Sequence, residues 1–324
     1  GNFTSLKAAI QGGADAVYFG IDKLNMRTKN FKLSDLKKIK TICKSVKRYL
    51  TLNTIIYESE LKQAEKIIKT AKPFITAVIC WDLSIIQLCK KHKVPFHIST
   101  QASVSNSQAA LFYKKLGAKR IILARECSLK QIKEISSKVK IDLEVFIHGA
   151  MCVAVSGRCF TSQFTFGKSA NRGECLQNCR REYTIKDVDE KFELKLDNNF
   201  VMSAKDLCTL EFLDKLKQAK ISSFKIEGRN RSPEYIKTVT EVYREAIDTK
   251  LTKTRTQQLI KKLKTVYNRD FSSGFYLNQP VNEFTNAYGS KSTKTKQYVG
   301  KVTNYYNKKG VAEILVESNV FKKA

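Results

Sequence analysis

The chain has 324 residues, of which 59 are Lys or Arg and 30 Asp or Glu, a formal net charge of +29. With 42% hydrophobic and 27% charged residues it is neither a disordered chain nor a membrane protein, and no uninterrupted apolar run approaches the roughly 18 residues of a spanning helix. The charge has two readings of equal weight, a phosphate-binding surface or compositional bias, since 46 of the cations are Lys and only 13 Arg.

Gly1-Asn2-Phe3-Thr4 has neither a Met nor a basic, then apolar, leader, so the sequence reads as internal to a longer cytoplasmic protein. Residues up to Gly12 look like the loop and helix that follow a missing strand. Short β-branched or aromatic runs come next: Ala16–Phe19, Tyr49–Ile56, Phe74–Cys80, Phe96–Ser99, Arg120–Leu123 and Leu143–Ile147. Between them Leu33–Val46, Glu60–Thr70, Leu83–Lys91, Ser105–Leu116 and Ser128–Val139 carry apolar residues at three-and-four spacing, as helices do. The strand runs are continuously apolar, which predicts parallel strands buried on both faces.

Ser223–Ile226 and Ser232–Asp248 add one more strand and helix, Ser232-Pro233 supplying the cap and the first helical position. Seven strands plus a missing first one predict an α/β fold, a (β/α)8 TIM-barrel-like domain over residues 1–285, with an open doubly wound sheet as the alternative. A Cys-rich insertion breaks the repeat at about 149–199. Residues 286–297 read as a linker, and 298–324 as the start of a small β domain cut short.

Nine cysteines divide into two groups. Cys43, Cys80, Cys89 and Cys127 each stand alone on or beside a helix or strand pattern and read as small buried hydrophobes. Cys152, Cys159, Cys175 and Cys179 cluster on Gly-containing loops, and Cys208 follows. Cys-x6-Cys and Cys-x3-Cys spacing fits an iron–sulfur cluster best, fits structural zinc in part, and with an odd total and no export signal fits disulfides least.

Glu144-Val-Phe-Ile-His-Gly-Ala-Met-Cys152-Val-Ala-Val-Ser-Gly-Arg-Cys159-Phe-Thr-Ser162 resembles the signature of the collagenase-like peptidase family, class U number thirty-two. Thr161 departs from it, standing where that pattern usually has an aliphatic residue. Gly13–Gly20, Arg172–Arg180, Ser203–Leu207, Phe224–Arg229 and Tyr267–Phe275 extend the likeness over nearly the whole chain. The resemblance implies more than proteolysis. Characterised relatives include tRNA and rRNA hydroxylases and oxygen-independent quinone hydroxylases that carry a 4Fe–4S cluster, and the RNA enzymes are linked to prephenate. By motif position Cys152, Cys159, Cys175 and Cys179 match the cluster ligands, with Cys208 as the alternate to Cys179. The Lys225–Arg229 and Asn268-Arg269 motifs look closer to the tRNA-modifying branch, whose implied partners are tRNA or other RNA, a small anionic metabolite, and a partner subunit of the same family.

Three functions are therefore carried forward: a prephenate-dependent tRNA uridine 5-hydroxylase, a peptidase, and a non-catalytic iron–sulfur RNA-binding protein. The peptidase reading is weakened by the presence of only three histidines, with no His-Glu-x-x-His helix and no Gly-x-Ser-x-Gly elbow. His148, Glu227 and Arg229, at strand ends, are the catalytic candidates. Arg27, Asn53, Gln101, Arg180 and Arg181 are the substrate-binding candidates, because Arg pairs bidentately with carboxylate and phosphate. Phe164, Phe166 and Tyr183 are candidates to stack on an exposed base, against the commoner use of aromatics as core.

Overall fold

A computed structural model describes residues 1–21, 23–26, 30–189, 193–194, 198–307 and 309–318. Seven strands run parallel in one sheet: β1 (Ala16–Phe19), β2 (Lys47–Thr51), β3 (Ala77–Cys80), β4 (Phe96–Ile98), β5 (Arg120–Ile122), β6 (Asp142–Ala150) and, paired beyond β6, β10 (Ser223–Ile226). Their order in space follows their order in the chain. All seven expected strands are present.

The helices between them are α1 (Phe3–Gln11), α2 (Leu36–Cys43), α3 (Leu61–Ala71), α4 (Leu83–Lys91), α5 (Ser107–Lys115), α6 (Leu129–Lys138), α7 (Thr161–Phe166), α8 (Leu213–Gln218), α9 (Pro233–Asp248) and α10 (Lys253–Lys264). Their starts are written in the sequence. The Asn2 side chain accepts from Ser5 N at 2.7 Å, and Ser128 and Gln131 cap α6 reciprocally. Outer helices turn a narrow apolar stripe inward, as with Ala64, Ile67, Ile68 and Ala71 of α3. Every residue of β3 and β5 is buried, because helices cover one face and barrel contents the other.

The sheet does not close among the described residues. No ladder joins β1 to β10; Tyr18 OH donates to Ile226 O at 3.1 Å across the opening. The gap is a cavity of about 440 Å³ lined by both strands, at the place where an eighth strand of a closed barrel would lie. In the insertion, β7 (Ile185–Lys186) pairs with β8 (Glu193–Leu194). After it, β9 (Asp206–Cys208) runs antiparallel to the end of β6, and β11 (Phe271–Ser272) lies parallel to β9.

Residues 286–297 have no regular structure but are tied to the barrel. Lys291 N donates to Asn268 O at 2.8 Å, and Thr293 N to Lys264 O at 2.9 Å. Beyond them β12 (Gly300–Tyr306) and β13 (Val311–Val316) form a small antiparallel hairpin, with Val302, Tyr305, Ile314 and Leu315 all exposed. Among the described residues no helix is long and apolar enough to cross a membrane.

Candidate active site

Where β6 leaves the sheet, Glu227 N donates to His148 O at 2.8 Å, locking the end of β10 against it. Gly149 is required at this crossing. Its φ is +112°, and a Cβ there would stand 2.5 Å from Glu227 O. The chain then enters the Cys-rich segment, which folds back over the C-terminal ends of the parallel strands.

Three buried polar side chains peg that segment together. Asn171 Oδ1 accepts from Cys159 N at 2.9 Å, Ser162 Oγ donates to Asn178 Oδ1 at 3.1 Å, and Leu176 N donates to Ser162 Oγ at 3.1 Å. The Cys159 loop is thereby fastened to the Cys175–Cys179 loop. Gly157, at φ +76°, lies directly on Gln101, whose Cγ would be 2.6 Å from a Cβ.

Cys152, Cys159, Cys175 and Cys179 all line one cavity of about 240 Å³, enclosed below by strand ends and above by this segment. It is smaller than the gap between β1 and β10, yet it holds the chemistry-bearing side chains. Burial pushes the Cys179 thiol up, Arg180 opposes that, and Cys152, Cys175 and Cys159 push it up further. Four sulfurs thus share one electrostatic neighbourhood. Among the described residues no three Cys, His, Asp or Glu side chains stand close enough to grip a single metal ion.

Cys208, the alternate ligand, is elsewhere. It pairs with His148 across β9 and β6, and Tyr243 OH donates to its Sγ at 3.5 Å. It does not line the cavity.

The remaining wall is cationic. Arg125, Arg180, Arg229, Arg231, Arg269 and Lys225 line it, against Glu227 as the only carboxylate lining it among the described residues. Arg125 lies 3.9 Å over the Phe146 ring, donates to Ala150 O at 2.7 Å and stands 3.5 Å from Glu227 Oε2. Arg229 N donates to Glu227 Oε1 at 2.7 Å. Arg180 is bound by Ala204 O at 2.7 Å and by Met151 O. Arg231 and Arg269 flank buried Asp206, at 3.8 and 3.4 Å, and both lie over the Tyr267 ring. Burial raises the Asp206 carboxyl in spite of these arginines and lowers the Arg269 guanidinium.

Asn53 and Gln101 line the cavity as expected, Asn53 Oδ1 accepting from Met26 N at 3.3 Å and Gln101 Oε1 from Ser99 Oγ. Glu227, Arg229 and Arg180 are likewise brought together there. Arg181 is exposed and off the cavity, and Arg27 lies outside the described residues. Sequence reasoning missed Arg125, Arg231, Arg269 and Lys225 as cavity groups; Arg125 and Arg231 each follow a strand end by a few residues, and that position was the available signal.

The histidines have other places. His148 is buried among the rings of Tyr235, Tyr243 and Phe271, with Nδ1 3.3 Å from Tyr243 OH. Burial, then Arg231, lowers it to about 3, so it stays neutral. His97 packs on Tyr49 and is lowered to about 4, by burial first and Arg120 next. His92 Nε2 sits 2.7 Å from Glu65 away from the cavity. None lines the site, and a catalytic role for His148 finds no support in this geometry.

Residues 1–286 match the model of Peptidase family U32. The chain belongs to this family. A relative from Porphyromonas gingivalis named "Collagenase" is 43% identical over 98% of this chain and 82% of its own length. The "tRNA hydroxylation protein P1" of Bacillus subtilis is 35% identical over 100% of this chain and 80% of its own. The "23S rRNA 5-hydroxycytidine C2501 synthase" of Escherichia coli is 37% identical over 75% of this chain and 37% of its own. U32 members thus carry both a peptidase name and RNA-hydroxylation names.

Proposed function

We propose that this U32 chain is an RNA-modifying enzyme that hydroxylates a tRNA uridine at carbon 5, acting in the cytoplasm. The observation that carries the reading is one cavity at the barrel mouth in which four cysteines face five arginines and a lysine, with no histidine in its lining. The names of the B. subtilis and E. coli relatives support the RNA substrate.

Cys152, Cys159, Cys175 and Cys179 are the residues that would hold a 4Fe–4S cluster. When bound, such a cluster supplies a one-electron redox centre. Arg229 and Arg125 would bind the carboxylates of a metabolite such as prephenate, since the planar guanidinium matches a carboxylate edge. Lys225, at the floor, adds a point charge. Glu227, oriented by Arg229 N and Arg125, is the carboxylate positioned to take or give a proton at the substrate. Asn53 and Gln101 offer hydrogen bonds to orient a base.

The P. gingivalis name favours proteolysis as the second reading. A Cys–His or Ser–His nucleophile pair finds no histidine on the cavity wall. Deleting the gene and measuring tRNA nucleosides by mass spectrometry tests the proposal: 5-hydroxyuridine-type nucleosides should vanish and return on complementation. Unchanged nucleosides together with peptide cleavage by the purified protein would favour the peptidase. Unchanged nucleosides with intact RNA binding and no cleavage would leave the non-catalytic RNA-binding reading.

A further inference from the structure

The four-cysteine cavity has an aromatic rim that the chemistry above does not use. Helix α7 begins two residues after Cys159. Its Thr161 and Ser162 line the cavity, and Ser162 is buried. The opposite face carries Phe160 and Phe164, one helical turn apart, with ring centroids 6.0 Å from each other. Phe164 is 86% exposed, Phe160 57% and Phe166 41%. These are not core residues. Three phenylalanines in seven positions, facing water with no polar handle, form the kind of exposed apolar patch that marks an interaction surface.

One cation touches the rings. The Arg181 guanidinium stands 5.3 Å from the Phe166 ring centroid, and exposed Lys168, two residues past Phe166, is 3.8 Å from Glu174. A purely apolar partner would leave the Arg181 charge unmatched. Unpaired RNA matches both features, because every base has a π-face that stacks on an aromatic ring and every nucleotide a phosphate that pairs with Arg or Lys.

We propose that Phe160, Phe164 and Phe166, with Arg181, form a stacking platform for an unpaired base of the RNA substrate, holding it beside the cysteine-lined cavity that receives the neighbouring nucleotide. This rests on the RNA reading of the preceding section. It adds which side chains outside the cavity hold the flanking base.

The test uses protein purified without oxygen and two fluorescein-labelled RNAs, a stem–loop and a fully paired duplex, read by fluorescence anisotropy. F164A should weaken stem–loop binding roughly five- to hundredfold and leave duplex binding and Tm unchanged. F164W should restore it and F164L should not, since stacking needs the π-face. R181Q should lower the slope of log affinity against log salt by about 1. The platform is overturned if F164A binds the stem–loop as the wild type does, or if F164L binds as well as F164W. A shift in oligomeric mass on F164A without a change in RNA affinity would make the face a protein interface and also overturn it. If the wild type binds neither RNA, the RNA reading itself falls and takes the platform with it.

Discussion

Beneath the cavity floor Glu144 is the most consequential single charge in the barrel. It is buried on β6 and accepts from Lys225 Nζ at 2.9 Å, Ser223 Oγ at 2.8 Å and Arg120 Nη1 at 3.2 Å. Burial alone would raise its carboxyl, but Lys225 and Arg120 overcome that and hold it at about 2 against an ordinary 4.5. That difference corresponds to about 3 kcal/mol of folding stability at neutral pH. Because the folded value is depressed, the contribution is fully present above pH 4.5 and fades as pH falls towards 2, with about 1 kcal/mol gone by pH 3.5. E144Q strands Lys225, whose side chain is 9% exposed, and leaves Arg120, 10% exposed, with Asp142 alone at 3.4 Å. Breaking a buried pair from one side costs about 3–5 kcal/mol. Urea unfolding followed by circular dichroism should show that deficit at pH 7 and a smaller one at pH 3.5. E144Q/K225M should recover part of it. A deficit under about 1 kcal/mol at pH 7, or one that does not shrink on acidification, would refute the ion-pair account.

Three further outcomes follow from the site. Serine at Cys152, Cys159, Cys175 or Cys179 should each deplete iron and sulfide and bleach the protein, whereas C208S should leave the metal content intact; iron loss from C208S would return it to the ligand set. Thr161 Oγ1 lies 3.2 Å from Cys159 Sγ, and a hydroxyl donating to a ligating thiolate raises a cluster's potential. T161V should lower the midpoint in an EPR-monitored redox titration by about 20–60 mV, from a hydrogen bond of about 0.5–1.5 kcal/mol, and an unmoved midpoint counts against the contact. H148Q should cost about 1–3 kcal/mol of stability yet leave kcat near wild type, whereas a hundredfold kcat loss in a well-folded variant would make His148 catalytic. His148 and His97 are held neutral at about 3 and 4, so the unfolded chain takes up their protons first as pH drops below 6.5. Each should therefore cost about 2 kcal/mol at pH 5, and H148Q should show a shallower acid limb.

The parallel sheet was legible where a strand is apolar without interruption, as in Ala77–Cys80, which has no position that could face water. Strand limits were less so. Phe74 and Ile75 extend the apolar run of β3, but the ladder starts only at Ala77, because those two residues bridge the helix end to the sheet. Helix α10 escaped notice since only Leu259 and Leu263 of its residues are buried, and two apolar positions make no stripe. Strand β9 was hidden for the opposite reason. It is three residues long and begins with Asp206, a buried charge that is explicable only once Arg231 and Arg269 are seen around it. Cysteine spacing marked the ligand set, but not the pegs. Ser162, Asn171 and Asn178 look like ordinary loop polar residues until their hydrogen bonds between the two cysteine loops are traced.

The net charge of +29 resolves by residue type rather than by amount. The chain has 13 arginines and 46 lysines, and among the described residues Arg125, Arg180, Arg229, Arg231 and Arg269 line the four-cysteine cavity, with Lys225 as the one lysine. Random placement would put lysines there more than three times as often as arginines. Physical chemistry explains the sorting, because a guanidinium keeps its proton when buried, stacks on rings such as Phe146 and Tyr267, and grips a carboxylate or phosphate through two parallel hydrogen bonds. Lysine loses its charge more readily on burial and suits a solvated helix face. The lysine excess is therefore a surface property, and the arginines are the part of the charge that is built into a site. Neutralising surface lysines such as Lys62 or Lys115 should change RNA affinity by small and similar increments, whereas R229Q should impair use of the anionic metabolite while leaving the salt dependence of RNA binding as it was.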